Sequence, residues 1–196
     1  MPSELDRLLD EARAKENAGD LRGAAAVLDG VPEGFRGGAW HYARGAIALR
    51  GGNATDAVTH FEAAVVKEPE VAEYRANLGA AWLERAKAGD GSAAAKALEA
   101  LEGAVRWGPT LPGAQTNLSL AKLMTGDPAG ALQAADEALK LDARHVPALY
   151  NRAAALNALG RLEDCLAALD ATLKVAPDFA PAVASRQNTL KKLGRA

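Results

Sequence analysis

A fixed internal period limits a chain to copies of one small unit laid side by side. Gly126, Gly160 and Gly194 are spaced by 34 residues, as are Pro109, Ala143 and Pro177, and Ala104, Ala138 and Thr172. Asn117 and Asn151 keep the same spacing. Asn77 joins them, and Ala57 joins Ala97, once six residues are set aside between them. Several columns in one shared frame exclude coincidence, even in a chain rich in alanine.

The unit is a pair of helices. Alanine supplies 47 of 196 residues, Ile47 is the sole isoleucine, and aromatic residues make up 5%. This favours helix, because alanine has the best helix propensity while strands prefer β-branched and aromatic residues. In the period beginning at Pro112, the spacing predicts a first helix over about 113–125, closed by Gly126. Asp127 then caps a second helix with Pro128 in its first turn and Ala131, Ala135 and Ala138 on one face. The same punctuation recurs at Gly19-Asp20, Gly52-Asn53 and Gly89-Asp90-Gly91-Ser92. At Gly160-Arg161 the capping residue is missing, which predicts a weaker turn.

Asn77-Leu78-Gly79 with Trp82 in the first helix, and Ala57, Phe61 and Ala64 in the second with Pro69 as its terminator, resemble the tetratricopeptide repeat. Ala97, Leu101, Ala104 and Pro109 carry the same likeness. The resemblance implies an all-α, right-handed α-solenoid of about five helix-turn-helix hairpins, a single domain over 1–196. Repeats fall at about 5–37, 38–71, 72–111, 112–145 and 146–179, with a capping helix over 180–193. The first repeat is degenerate, because Val31-Pro32-Glu33-Gly34 cuts its second helix short. The third carries a six-residue insertion over about 86–91. Lys122 occupies a column that holds Trp82 and Leu156; its stem can lie over apolar surface while the amine reaches out.

Each hairpin is too small to bury its own apolar face, so stacking buries it. Trp40, Phe61, Trp82, Leu101 and Leu156 are expected as core. Gly45 and Gly79 cost about 1 kcal/mol each inside a helix, which close helix approach would offset. The last helix is polar on one side through Arg186, Gln187, Asn188, Lys191, Lys192 and Arg195. That suits a cap; the alternative is a small basic patch for an acidic partner.

The resemblance further implies that first helices line a concave groove. Asn77, Asn117 and Asn151 precede the small-residue column by two positions, and an amide can pair with both N–H and C=O of a bound peptide. The alternative role is a bond to a neighbouring backbone. Leu120 and Met124 share a stripe with Asn117. Leu83, Tyr42, Tyr150 and Asn157 are placed on the same groove. The positions aligned with a cationic clamp for a free C-terminus hold Ala43, Ala46, Ala76 and Ala80, so that mode is not expected.

The function expected is a non-catalytic adaptor that holds a peptide or helix of another protein. The alternative is a scaffold that self-associates, as a weak homo-oligomer, through its edges and the 86–91 insertion. A net charge of −2 and a pI near 6.0 argue against nucleic acid as partner. There is no phosphate loop, nucleophile motif or His pair at metal spacing, so no catalytic residue, cofactor or metal is expected. His41 and His60 read as surface or groove residues. Cys165, the single cysteine, sits in the column of Ala57, Ala97 and Ala131 and reads as a small buried side chain. No segment approaches the ~20 apolar residues of a membrane span. The amino end lacks a basic start with an apolar run, and a cytoplasmic location is expected.

Overall fold

The computed structural model describes residues 3–195; Met1, Pro2 and Ala196, the ends of the expected domain, lie outside the described residues. Eleven α-helices and no strand occur among the described residues. They are α1 (Glu4–Asn17), α2 (Leu21–Asp29), α3 (Gly38–Arg50), α4 (Ala54–Lys67), α5 (Ala72–Lys87), α6 (Ala93–Trp107), α7 (Pro112–Met124), α8 (Pro128–Leu141), α9 (Val146–Ala158), α10 (Leu162–Val175) and α11 (Ala180–Lys192). Consecutive helices pair into five hairpins, and α11 packs on α10. The chain divides into two compact units, Met1–Gly108 with three hairpins and Pro109–Ala196 with two hairpins and α11. A stack of repeats has no core common to all of them, so compactness belongs to local groups of hairpins.

Six first helices, α11 included, end in the same way. Gly19, Gly52, Gly89, Gly126, Gly160 and Gly194 all have positive φ. The residue after each glycine donates its N–H to the carbonyl five residues back, as Asn53 does to Ala48 and Asp127 to Lys122. This is the Schellman closure, which needs a left-handed residue at its corner. Asp20, Asn53 and Asp127 then accept the N–H three residues on, capping α2, α4 and α8. Arg161 makes no side-chain cap to α10, but its backbone keeps the Schellman bond to Leu156.

The small column is where helices touch. A Cβ at Gly45 would lie 2.7 Å from Phe61 Cε1, and one at Gly79 would lie 2.4 Å from Leu101 Cγ. At Ser119 the same place is filled by a hydroxyl that donates to the Ala131 carbonyl at 2.8 Å. Phe61, Leu101 and Leu156 are buried, as are Ala57, Ala97, Ala131 and Cys165. Trp40 is also core, and its indole N–H donates to the Leu28 carbonyl at 2.9 Å. Lys122 reaches Asp127 at 3.3 Å.

The insertion differs from a projecting loop over 86–91. Gly89 stands 37 residues from both Gly52 and Gly126, so the extra residues are shared between its two sides. Ala86 and Lys87 belong to the last turn of α5. In the short connection that remains, Asp90 pairs with Arg85 and accepts the Ser92 N–H.

Candidate functional site

In the first unit, α3 lies beside both α1 and α5. Together these helices form a cleft of about 340 Å³. Ala39, Ala43 and Ala46 make its floor, at helical spacing on α3. Tyr42 stands over that floor and stacks on Tyr74, ring centroids 5.1 Å apart. Burial pushes the Tyr42 phenol up from its ordinary value, and it pushes the Tyr74 phenol up too, so both rings keep their O–H near neutral pH. Leu9, Arg13 and Glu16 come from α1 and Glu73 from α5. Arg50 holds Glu16 at 3.1 Å, whereas Arg13 and Glu73 are exposed and have no ion-pair partner among the described residues. The cleft thus offers the half-buried Tyr42 ring, backed by the buried Tyr74, and one free charge of each sign.

Asn77 is half-buried at this cleft. Its amide donates to the Glu73 carbonyl at 2.9 Å on its own helix and to the Tyr42 hydroxyl at 3.4 Å. Leu83 does not flank the groove: it is fully buried, because it faces the packed side of α5 with Trp82.

In the second unit the expected residues part company. Asn151 is 8% exposed, and its Nδ2 donates to the Thr116 carbonyl at 3.0 Å. Expected as a groove amide, it instead ties α9 to α7 through one N–H, and its other N–H and its carbonyl oxygen make no side-chain hydrogen bond among the described residues. Asn117 is half-buried and makes no side-chain hydrogen bond among the described residues. Leu120 is half-buried and Met124 is exposed at the end of α7.

Tyr150 and Asn157 line a second, smaller pocket of about 160 Å³ between α9, α10 and α11. Ala153, Ala154, Cys165, Leu169, Ser185, Asn188 and Thr189 complete it. The Tyr150 and Ser185 hydroxyls share one hydrogen bond of 3.2 Å, and Lys192 Nζ donates to Asn157 Oδ1 at 2.9 Å. Phe179 meets Tyr150 edge-on at 5.4 Å between centroids.

Sequence reasoning missed Leu9, Arg13 and Glu16 because the first repeat was set aside as degenerate. Its first helix is complete, and Leu9 lies 33 residues before Tyr42, the same step as from Gly19 to Gly52. It also missed Tyr74, whose role depends on stacking across helices. Outside both pockets, His41 and His60 join α3 to α4, Nδ1 to Nδ1 at 3.2 Å, edge-on to Trp40. Among the described residues no three His, Cys, Asp or Glu side chains gather as for a metal ion, and no helix is long and apolar enough to cross a membrane.

The family model of the tetratricopeptide repeat matches residues 122–188. Among solved structures, PilF of Pseudomonas aeruginosa superposes with a TM-score of 0.80 at 16% identity, over 97% of this chain and 84% of that one. YrrB, a tetratricopeptide repeat protein with an unusual peptide-binding site, gives 0.75 at 20% identity, over 92% and 90%. The first tetratricopeptide repeat region of Spaghetti (RPAP3), bound to the HSP90 peptide SRMEEVD, gives 0.58 at 20% identity, over 63% and 94%. At these identities the likeness is one of fold. No curated protein sequence matches the chain.

Proposed function

We propose that this chain, a tetratricopeptide repeat protein whose residues 122–188 match the family and whose remainder shares its fold, is a non-catalytic adaptor that holds a segment of another protein. The observation that carries the reading is the cleft of α1, α3 and α5. An alanine floor beside Tyr42, whose ring is backed by the buried Tyr74, admits a close-lying backbone and gives its side chains an apolar surface to rest on. Arg13 and Glu73 at its margin can set the direction of a segment that carries charges. In the second unit, Asn117 offers a donor and an acceptor to a peptide backbone. Peptide binding by YrrB and by the RPAP3 repeat supports the reading by likeness of fold.

A short segment pays for its own ordering, so affinity for a single one is on the order of micromolar. The test is a pull-down from native lysate with the intact chain and a Tyr42→Ala/Asn117→Ala variant, followed by calorimetric titration of the captured protein. The reading expects binding at least about tenfold weaker in a variant that still unfolds cooperatively, at a melting temperature lowered by the lost ring contacts of Tyr42. Undiminished affinity in the variant contradicts it. Self-association through the edges is the second reading, and it rests on Trp107, 50% exposed at the end of α6. A monomer at every concentration in light scattering excludes it.

A further inference from the structure

The three histidines take different places in the fold. His145 stands beside Asp142 at 3.8 Å. His41 in α3 and His60 in α4 are 19 residues apart, outside any spacing that one helix could bring to a metal, yet the second hairpin sets their Nδ1 atoms at 3.2 Å. Both rings are half-buried, and Trp40 meets each of them edge-on, with centroids at 5.0 and 5.7 Å, which fixes how the two face one another. A proton on one Nδ1, accepted by the other, accounts for the pair without a ligand. The separation is also that of two ligands on one ion. Two nitrogens bound to a tetrahedral zinc ion at about 2.0–2.1 Å lie about 3.3–3.4 Å from each other, and at a right angle they lie about 2.9 Å apart. The observed distance falls between the two, nearer the tetrahedral one.

The charges around the pair leave room for a cation. Arg36 donates to the Val31 and Asp29 carbonyls, and Arg44 is held by the Asp29 carboxylate at 3.0 Å, so both guanidinium groups are engaged at the end of α2. Lys67 is exposed at the end of α4. Asp56, one turn before His60 on α4, supplies a carboxylate that Asn53 Nδ2 bonds at 2.6 Å. No third His, Cys, Asp or Glu gathers with the two rings among the described residues, so water completes the shell. From this juxtaposition of two imidazole Nδ1 atoms across α3 and α4, we propose that the second hairpin holds one divalent cation of the zinc type between both histidines. On binding, the proton shared by the pair moves through solvent to Nε2 of the same ring. Both rings stay neutral, and each gives its Nδ1 lone pair to the ion. The ion joins the two helices of one hairpin. It favours the folded chain, because the unfolded one does not hold two rings at this distance. The site lies outside both pockets and is independent of the adaptor reading.

The test uses the full chain, stripped with a chelator and dialysed, and zinc chloride alone. Calorimetric titration and thermal melting are read on the intact chain, on His41→Gln, on His60→Gln and on His145→Gln. Melting without metal confirms that each variant is folded. Loss of an outer-shell partner costs a metal site about 10–100-fold in affinity, so loss of a ligand should cost at least about tenfold. The expected result on the intact chain is one bound zinc ion with affinity in the micromolar range, and a melting temperature that rises with zinc concentration. Both hairpin variants bind at least about tenfold more weakly and lose the rise, whereas His145→Gln behaves as the intact chain. Nuclear magnetic resonance of the imidazole nitrogens in the isotopically labelled intact chain gives a reading that needs no variant. Zinc should shift the Nδ1 signals of both His41 and His60 while each Nε2 carries a proton. No saturable binding, equal affinity in the intact chain and both hairpin variants, or zinc that leaves these two Nδ1 signals in place overturns the site; the adaptor reading then stands untouched.

Discussion

At the scale of the residue, His41 and His60 carry the clearest consequence. Burial holds both imidazoles below their ordinary value of 6.5. Lys67 and Arg36 add to this at His41, and Arg44 and His41 at His60, with Asp56 opposing in part. The unfolded chain therefore binds protons more readily than the folded one. The stability that the pair contributes is complete above about pH 6.5 and is lost as pH falls through the lowered folded values. Melting followed from pH 8 to pH 5 should show this fall, and His60→Gln should flatten it; an identical slope in the variant contradicts the assignment. Asn151 and Asn117 provide a second comparison. Asn151→Ala removes the bond between α9 and the Thr116 carbonyl and should lower stability by about 1 kcal/mol in urea unfolding, while Asn117→Ala should lower it by no more than ~0.5 kcal/mol. Both amides were visible in the sequence as one column. Which of them bonds to a neighbouring hairpin depends on a side-chain rotation that periodicity does not encode.

At the scale of the element, the glycine in a helix interior is the informative feature. Gly79→Ala would gain about 1 kcal/mol of helix propensity, but its methyl would meet Leu101 at the root of that side chain. The clash should win, with a net loss of about 1–2 kcal/mol in chemical denaturation; a more stable variant would mean that α5 and α6 do not depend on close approach. Arg161→Asn should work in the other direction, adding the missing side-chain cap to α10 and raising stability by about 0.5–1 kcal/mol. An unchanged midpoint would show that the backbone closure already suffices. The hairpins were legible because spacing, glycine corners and capping residues all agree in one frame. Leu83 and the insertion were not. Leu83 lies between Trp82 and Glu84, and a one-residue step around a helix separates core from groove. The insertion extended α5 because Ala86-Lys87 propagates a helix as readily as it makes a loop.

At the scale of the whole molecule, the account places binding on first helices and stability on the contacts between first and second. The candidate surfaces follow that division: Tyr42 and Ala154 line the two pockets, whereas Val66 and Leu141 are exposed near the ends of second helices. The most direct measurement replaces each of these four residues in turn with a photo-crosslinking phenylalanine analogue, irradiates the chain with its captured partner, and maps the product by mass spectrometry. Crosslinks to the partner from position 42, from position 154 or from each, with none from 66 and 141, are the predicted result. Crosslinks from 66 or 141 with none from 42 and 154 would place the partner on the second helices and contradict the account.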